Sequence, residues 1–373
     1  MYDNTSHQVP AVRPIIDQQT LGSASDRCTP PTRPSDNRAS VLKDRDRTLY
    51  GELRNRLARA GCFHPAPWAY GIKIALILLT GALGYIALLT GPETGVRTGL
   101  VLLIAFASVQ AGFIAHEAGD GSITSNRRLA SCLHHILMSF VSALSSSYFR
   151  YLHKVHHLTL QRGARGLGAG EFSVNPYEIG WLKKLVSFNG TVFATATVCL
   201  RGLTFRLESI RYVLRNQRKT KVDRILMTLH ALLWLVLPIP FIGVHDTIVN
   251  YGLVTLFIGP YAGIILILNH EGMSKAQPLT HTSMIERITH TTRNLGRSRW
   301  SDFFFGGVNN HIEHHLFPQI PATRLRKARA ITKEFCGEHG IPYSETKFVR
   351  ALAEAVSYFR TVPPARLAAE ALS

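Results

Sequence analysis

Four long apolar runs, arranged as two pairs, dominate the polar–apolar pattern of the chain. Trp68–Thr90 is almost wholly apolar, with Lys73 near one end where its stem can carry the ammonium to an interface. After the short link Gly91–Arg97 comes Thr98–Ala115; later, Ile225–Val244 and Thr247–Leu268 are joined around His245 and Asp246. Each run approaches the ~20 residues with which a helix crosses a hydrocarbon core. The pattern therefore predicts an all-α integral membrane protein with four transmembrane helices, 68–90, 98–115, 225–244 and 247–268. Links this short make two hairpins, each returning to the side from which it started. Leu129–Tyr148 is apolar but softened by His134, His135 and Ser145–Ser147, and reads as a half-buried, re-entrant segment.

The remaining stretches are polar or mixed. Residues 1–46 carry five prolines and no periodic apolar face, which predicts a disordered tail without a secretory signal. Residues 47–66 are basic and amphipathic, suited to a membrane surface. Leu160–Asn175 reads as a glycine-rich loop, and Trp181–Leu214, which mixes apolar turns with Arg201, Arg206 and Arg211, as an interfacial helix. Residues 67–340 form the main domain, and 341–373 a helical tail outside the membrane.

Charge fixes an orientation. With 42 Lys and Arg against 24 Asp and Glu the chain carries +18, yet the two hairpin links hold a single basic residue, Arg97. The asymmetry places both termini and the 121–224 and 271–373 regions in the cytoplasm, whether the membrane is the bacterial inner membrane or the endoplasmic reticulum. The positive charge is then a topological signal and an attraction to anionic lipid. Aromatic residues sit mostly in the spans rather than among the Lys/Arg clusters, which argues against nucleic acid. The five cysteines lack C-x-x-C spacing and read as reduced thiols.

Candidate chemistry collects on that same face. His153, His156 and His157, and again His311, His314 and His315, repeat the spacing i, i+3, i+4, which puts three imidazoles within a narrow arc of a helix. Span two ends on His116-Glu117-Ala-Gly-Asp120, and span four on His270. Six or more imidazoles exceed what a zinc site uses, and nitrogen-rich coordination with open positions suits redox iron, two ions better than one. Such a pair can reduce O2 and remove hydrogen from an unactivated C–H bond. The His-Glu-x-x-His pattern of zinc peptidases lacks its second histidine here.

The chain resembles the membrane fatty-acid desaturase family, known by three histidine boxes. His153-Lys-Val-His156-His157 resembles the second box, and Phe305-Gly-Gly-Val-Asn309-Asn310-His311-Ile-Glu313-His314-His315-Leu-Phe-Pro318 the third. The resemblance spans roughly residues 65–340 and implies four spans with a cytoplasmic helical cap carrying the boxes. It also implies a ligand at His270. The first box departs from the pattern: where the family has a second histidine this chain has Asp120, one helical turn from His116. Asp120 is expected to ligate iron, the alternative being that it accepts a hydrogen bond from a ligand histidine; a weakened enzyme is a third outcome. The expected metal set is His116, Asp120, His153, His156, His157, His270, His311, His314 and His315, with no catalytic residue beyond it. Glu117, His134, His135, Asn309, Asn310 and Glu313 are expected to support those ligands by hydrogen bonding.

The resemblance implies an O2-dependent desaturase with two Fe ions, acting on a long acyl chain of membrane lipid, CoA or carrier protein. No flavin, haem or iron–sulfur motif is visible, so electrons are expected from an external ferredoxin or cytochrome b5 type donor. Hydroxylase, acetylenase or ketolase chemistry on the same scaffold is the alternative outcome, and a non-catalytic membrane metal-binding protein the alternative class.

Overall fold

A computed structural model describes residues 34–162, 190–273 and 283–361. The glycine-rich loop, the start of the predicted interfacial helix, residues 1–33 of the predicted tail and residues 362–373 lie outside the described residues. The described chain is helical apart from a two-residue parallel pairing of β1 (Asn294–Leu295) with β2 (Glu345–Thr346).

The first hairpin forms as expected, from α2 (Pro67–Leu88) and α3 (Thr94–Gly119). Among the described residues three helices are long and apolar enough to cross a membrane: Pro67–Leu88, Thr94–Gly119 and Ile239–Ile265. A fourth crossing arises if the bent pair α4 (Arg127–His135, continued as a π turn to Val141) and α5 (Ser146–Arg162) counts as one. That pair turns through 111° at the serine run.

The second hairpin differs from the uniform limbs expected. Its first limb, α7 (Lys221–Ala231), passes into a π turn, Leu232–Val236, and stops at Leu237–Pro238. Pro238 and Pro240 supply no backbone N–H, so an α-helical ladder cannot continue through them. The second limb, α8 (Ile239–Leu268), kinks at Gly243, whose φ of 76° few other residues adopt. Both hairpin links nevertheless lie together: Arg97 in one and Asp246 in the other form a 2.8 Å ion pair.

At the opposite end sits a helical cap. It comprises α1 (Pro34–Arg59), α9 (Met284–Thr291), α10 (Arg299–Phe304), α11 (His311–Leu316), α12 (Ala322–Glu338) and α13 (Phe348–Thr361). Two expectations for the N-terminal region are corrected. Residues 34–46 belong to a helix rather than a disordered tail; Pro34 stands at its start and no further proline interrupts it. The apolar stripe Leu49, Leu53 and Leu57 does not face a membrane. It is buried with Ile312, Leu316, Phe317 and Phe335, so α1 clamps the cap instead. Asp46 completes the clamp by accepting the Met284 N–H at the start of α9, at 2.7 Å.

The helix α6 (Gly190–Arg215) corrects a third expectation. Leu200, Leu203, Leu207, Ile210 and Leu214 are exposed on it, as are Arg211 and Arg215 near its end, while Arg201 and Arg206 are buried, at 2% and 7% exposure. Two of its arginines therefore face inward, beside Phe205 and Val213. It crosses α8 with almost no gap: a Cβ on Gly202 would overlap the carbonyl oxygen of Thr255, and one on Gly259 that of Cys199. Small residues let two helix backbones approach where no water drives association. Gly259 and Gly263 supply that spacing on α8.

Candidate metal centre

The histidine-bearing segments meet where the spans join the cap. His116 lies in the last turn of α3, Asp120 at its C-cap, His153, His156 and His157 on α5, His270 just past α8, and His311, His314 and His315 on α11. Their side chains gather into two groups of four whose possible ligand atoms all lie within 4.8 Å of one another: His156, His270, His311 and His315; and His116, Asp120, His153 and His314.

Neither triplet serves one group alone. His153 goes to one group and His156 to the other, and His314 is separated in the same way from His311 and His315. His157 belongs to neither group; its Nε2 lies 3.2 Å from Nε2 of His314, and its ring 4.6 Å from that of His315. It stands against histidines of both.

The ring of His270 is oriented by its Nδ1, 3.1 Å from the Thr291 carbonyl. Its Nε2 then faces His311 Nε2 at 2.9 Å and His315 Nε2 at 3.3 Å. In the other group, Asp120 Oδ1 lies 3.1 Å from His153 Nε2, and Oδ2 lies 3.8 Å from His116 Nε2 and 3.9 Å from His314 Nδ1. Two atoms each about 2.1 Å from a shared ion stand roughly 3 to 4.2 Å apart. These spacings fall in or beside that range. Asp120 Oδ2 is buried and has no hydrogen-bond partner, a position that costs free energy unless a cation or proton meets it.

Electrostatics favour the form that binds metal. Burial, followed by repulsion from neighbouring imidazoles, holds His311, His314 and His315 well below the ordinary histidine pKa. They are neutral at pH 7 and keep a lone pair for coordination. The donor set, seven imidazoles and one carboxylate, fits first-row transition metals.

The residues expected to support the ligands do so at one remove. Among the described residues none of the six side chains makes a direct hydrogen bond to a histidine of the two groups; each bonds a neighbouring segment. Glu117 accepts from the Tyr70 hydroxyl and, at 2.8 Å, from the Ala322 N–H, tying α3 to the first turn of α12. His134 places its Nδ1 2.6 Å from the Ala115 carbonyl, next to His116 in the chain. His135 bonds Asp223 at 3.0 Å. Asn309 and Asn310 donate to Asp302, at 2.8 and 3.4 Å, and Asn310 accepts from Arg329. Glu313 accepts from Asn294 at 2.8 Å and from Tyr343 at 2.7 Å, facing away from the histidines beside it.

Asn294 and Asp223 escaped the sequence reading. Asn294 Oδ1 accepts the Ile312 N–H at 2.9 Å and so seats the first turn of α11. Asp223, wholly buried, accepts from Ser145, Ser139 and His135 and from the Ser147 N–H, fixing the start of α5. A lone Asp among Lys221, Val222 and Arg224 gave no signal of either role. The glycines before α11 are explained by space: at positive φ, Gly306 has Phe113 and Gly307 has Ala322 where a Cβ would sit, each at 2.5 Å.

From the two groups a mostly apolar cavity rises between α3, α6 and α8. Its walls include Val109 and Phe113 on α3, Phe205 on α6, Ile258 and Ala262 on α8, and Val308. Arg201 and Arg206 line it as well.

The fatty acid desaturase family model matches residues 95–347, more than half of the chain, and those residues include every member of both groups. The chain belongs to the fatty acid desaturase family. A mouse relative, fatty acid desaturase 2-like protein FADS2B, is 22% identical over 87% of this chain and 68% of its own. A borage Delta(8)-fatty-acid desaturase is 22% identical over 84% of this chain and 74% of its own. The Delta 8-(E)-sphingolipid desaturase of Emericella nidulans is 23% identical over 82% of this chain and 60% of its own. Family membership and the apolar helices together describe an integral membrane oxidoreductase of lipid metabolism.

Proposed function

We propose that this chain is an O2-dependent acyl-chain desaturase whose two residue groups each hold one iron ion. The observation that carries the reading is the convergence of four separate chain segments into two adjacent four-residue groups beneath an apolar cavity. Iron bound at His156, His270, His311 and His315, and at His116, Asp120, His153 and His314, would supply the oxidising power with which O2 takes two hydrogens from adjacent methylenes.

The protein's own part is placement and exclusion. Val109, Phe113, Ile258 and Ala262 offer an acyl chain an apolar wall and no hydrogen bond to water, so the chain is held extended against the groups. Burial of the histidines keeps them deprotonated and the centre dry, which strengthens every charge interaction there. The basic cytoplasmic surface implied by the +18 charge suits an acidic one-electron carrier of ferredoxin or cytochrome b5 type. A non-catalytic metal-binding protein would have no use for an apolar cavity lined at one end by the histidine groups.

Expression in a host of defined lipids, followed by mass spectrometry of its acyl chains, tests the reading. Products lighter by two hydrogens are expected, and their loss in His314→Ala. Products heavier by one oxygen would move the assignment to hydroxylation, and a metal-loaded, fully active His314→Ala enzyme would overturn it.

A further inference from the structure

Arg206 has no part in the metal groups, yet its setting is unusual for a cation. It is 7% exposed and bonds the Thr255 hydroxyl on α8, with its guanidinium 5.0 Å from the centre of the Tyr251 ring. Among the described residues no carboxylate pairs with it. Burying an arginine in an apolar wall is costly, so its presence there calls for a reason.

Its position supplies one. The cavity above the metal groups is lined on α3 from His116 back to Ser108, and on α8 from His270 back to Ile258. At the helical rise these stretches represent a depth of roughly 12 to 18 Å. Beyond the far end lies a second cavity of about 760 Å³, between the exposed leucine side of α6 and helices α7 and α8. Leu203, Leu207, Met227, Leu235 and Leu256 are among its walls. Among the described residues one lines both cavities, and it is Arg206.

We propose that Arg206 is the end wall of the acyl cavity and sets the longest chain portion that fits beyond the metal groups. This rests on the desaturase reading above. A methyl terminus reaching the guanidinium meets a polar group held in place by Thr255 and Tyr251. Further extension would displace that group and strip it of its partners. With a small residue at 206 the first cavity opens into the second, and the limit is lifted.

The test feeds a microbial host expressing the chain with saturated fatty acids of graded even length and reads the product spectrum by gas chromatography and mass spectrometry. Conversion is expressed as the ratio of long to short products, so a general loss of activity does not mimic a shift. Arg206→Ala is expected to raise that ratio at least fivefold. Arg206→Lys, which cannot hold Thr255 and cover Tyr251 with one planar group, should move it in the same direction by less. Should Arg206→Ala fail to accumulate, Arg206→Lys alone decides. Leu203→Trp, filling the second cavity, should leave the ratio of the unaltered enzyme unchanged and bring the Arg206→Ala ratio back down. An unshifted ratio in an active position-206 variant, or a shift that Leu203→Trp does not reverse, overturns the proposal. If the unaltered chain converts no fatty acid, it is the desaturase reading that fails, not the end wall.

Discussion

Removing the Asp223 carboxylate tests whether the second histidine triplet is positioned from a distance. Asp223 is fully buried at the start of α7, far in sequence from α5. Its two oxygens accept from the Ser145 hydroxyl at 2.6 Å, the Ser147 N–H at 2.9 Å, the His135 ring at 3.0 Å and the Ser139 hydroxyl at 3.3 Å. Burial pushes its pKa up, but the bonds from His135 and Ser145 outweigh it, so the group lies well below the usual carboxylate range. In Asp223→Ala the Ser147 N–H and the buried Ser145 hydroxyl lose their acceptor, at about 1–3 kcal/mol each. His135 is part-exposed and can turn to water, and Ser139 can rotate, so they add little. The sum is about 2–6 kcal/mol. It falls on the hinge from which α5 carries His153, His156 and His157. Thermal inactivation in detergent should therefore come earlier, and metal content should fall although no ligand has been touched. A double-mutant cycle with Ser145→Ala should give a coupling of about 1.5–3 kcal/mol, the range for a bond to a charged group. Additive effects, or an Asp223→Ala protein with unchanged stability and metal content, would refute the positioning role.

Other outcomes follow from the same geometry. Asp120→Ala should cut bound iron by about half while Asp120→His keeps it, read by elemental analysis of purified protein; full iron in Asp120→Ala would make the carboxylate a hydrogen-bond acceptor only. Gly259→Ala places a methyl against the Cys199 carbonyl and should destabilise the α6–α8 crossing by about 1–3 kcal/mol, seen as earlier thermal inactivation. The metal-free protein should lose stability in mild acid. His311, His314 and His315 have folded pKa values below the unfolded value near 6.5, so the unfolded chain binds more protons as pH falls. Their stabilisation is thus present above about pH 6.5 and lost below it, by up to about 4 kcal/mol per pH unit for the three together. Unfolding midpoints measured from pH 7.5 to 5.5 check this, and a flat profile would contradict it.

What could be read from the sequence was what repeats locally. An apolar run long enough to span announces itself, as α2 and α3 did, because every residue in it reports the same solvent. A triplet at i, i+3, i+4 announces a helix face. Pairing across the chain has no such signature. Nothing about Asp223 or Asn294 points to helices some eighty and twenty residues away. Arg201 and Arg206 read as the wet side of an interfacial helix because composition cannot tell which side of an amphipathic helix faces the bundle. In water the polar side faces out; on α6 the leucines are exposed and Arg201 and Arg206 buried. The second hairpin was misjudged for a related reason. Hydropathy averages over Pro238, Pro240 and Gly243, whereas the backbone answers to each of them individually.

The division of each triplet between two groups changes what the i, i+3, i+4 spacing achieves. On α11, His311 and His315 are four residues apart and turn toward His156 and His270, while His314 turns toward His116 and Asp120. On α5 the same split separates His153 from His156. Each helix is therefore a shared wall, and the relative placement of the two groups is set by one rigid turn of α5 and one of α11 rather than by a loop. The spans complete each group of four: His270 beyond α8 for one, and His116 with Asp120 at the end of α3 for the other. Asp120 lies at the edge of this shared framework, at the C-cap of α3. Within the first group Nε2 of His156 lies 3.2 Å from that of His315, and Nε2 of His314 in the second lies the same distance from that of His157, so both shared helices are packed closely around these rings. The departure from the family pattern thus falls at the C-cap of a span and on neither of the two helices, α5 and α11, that the groups share.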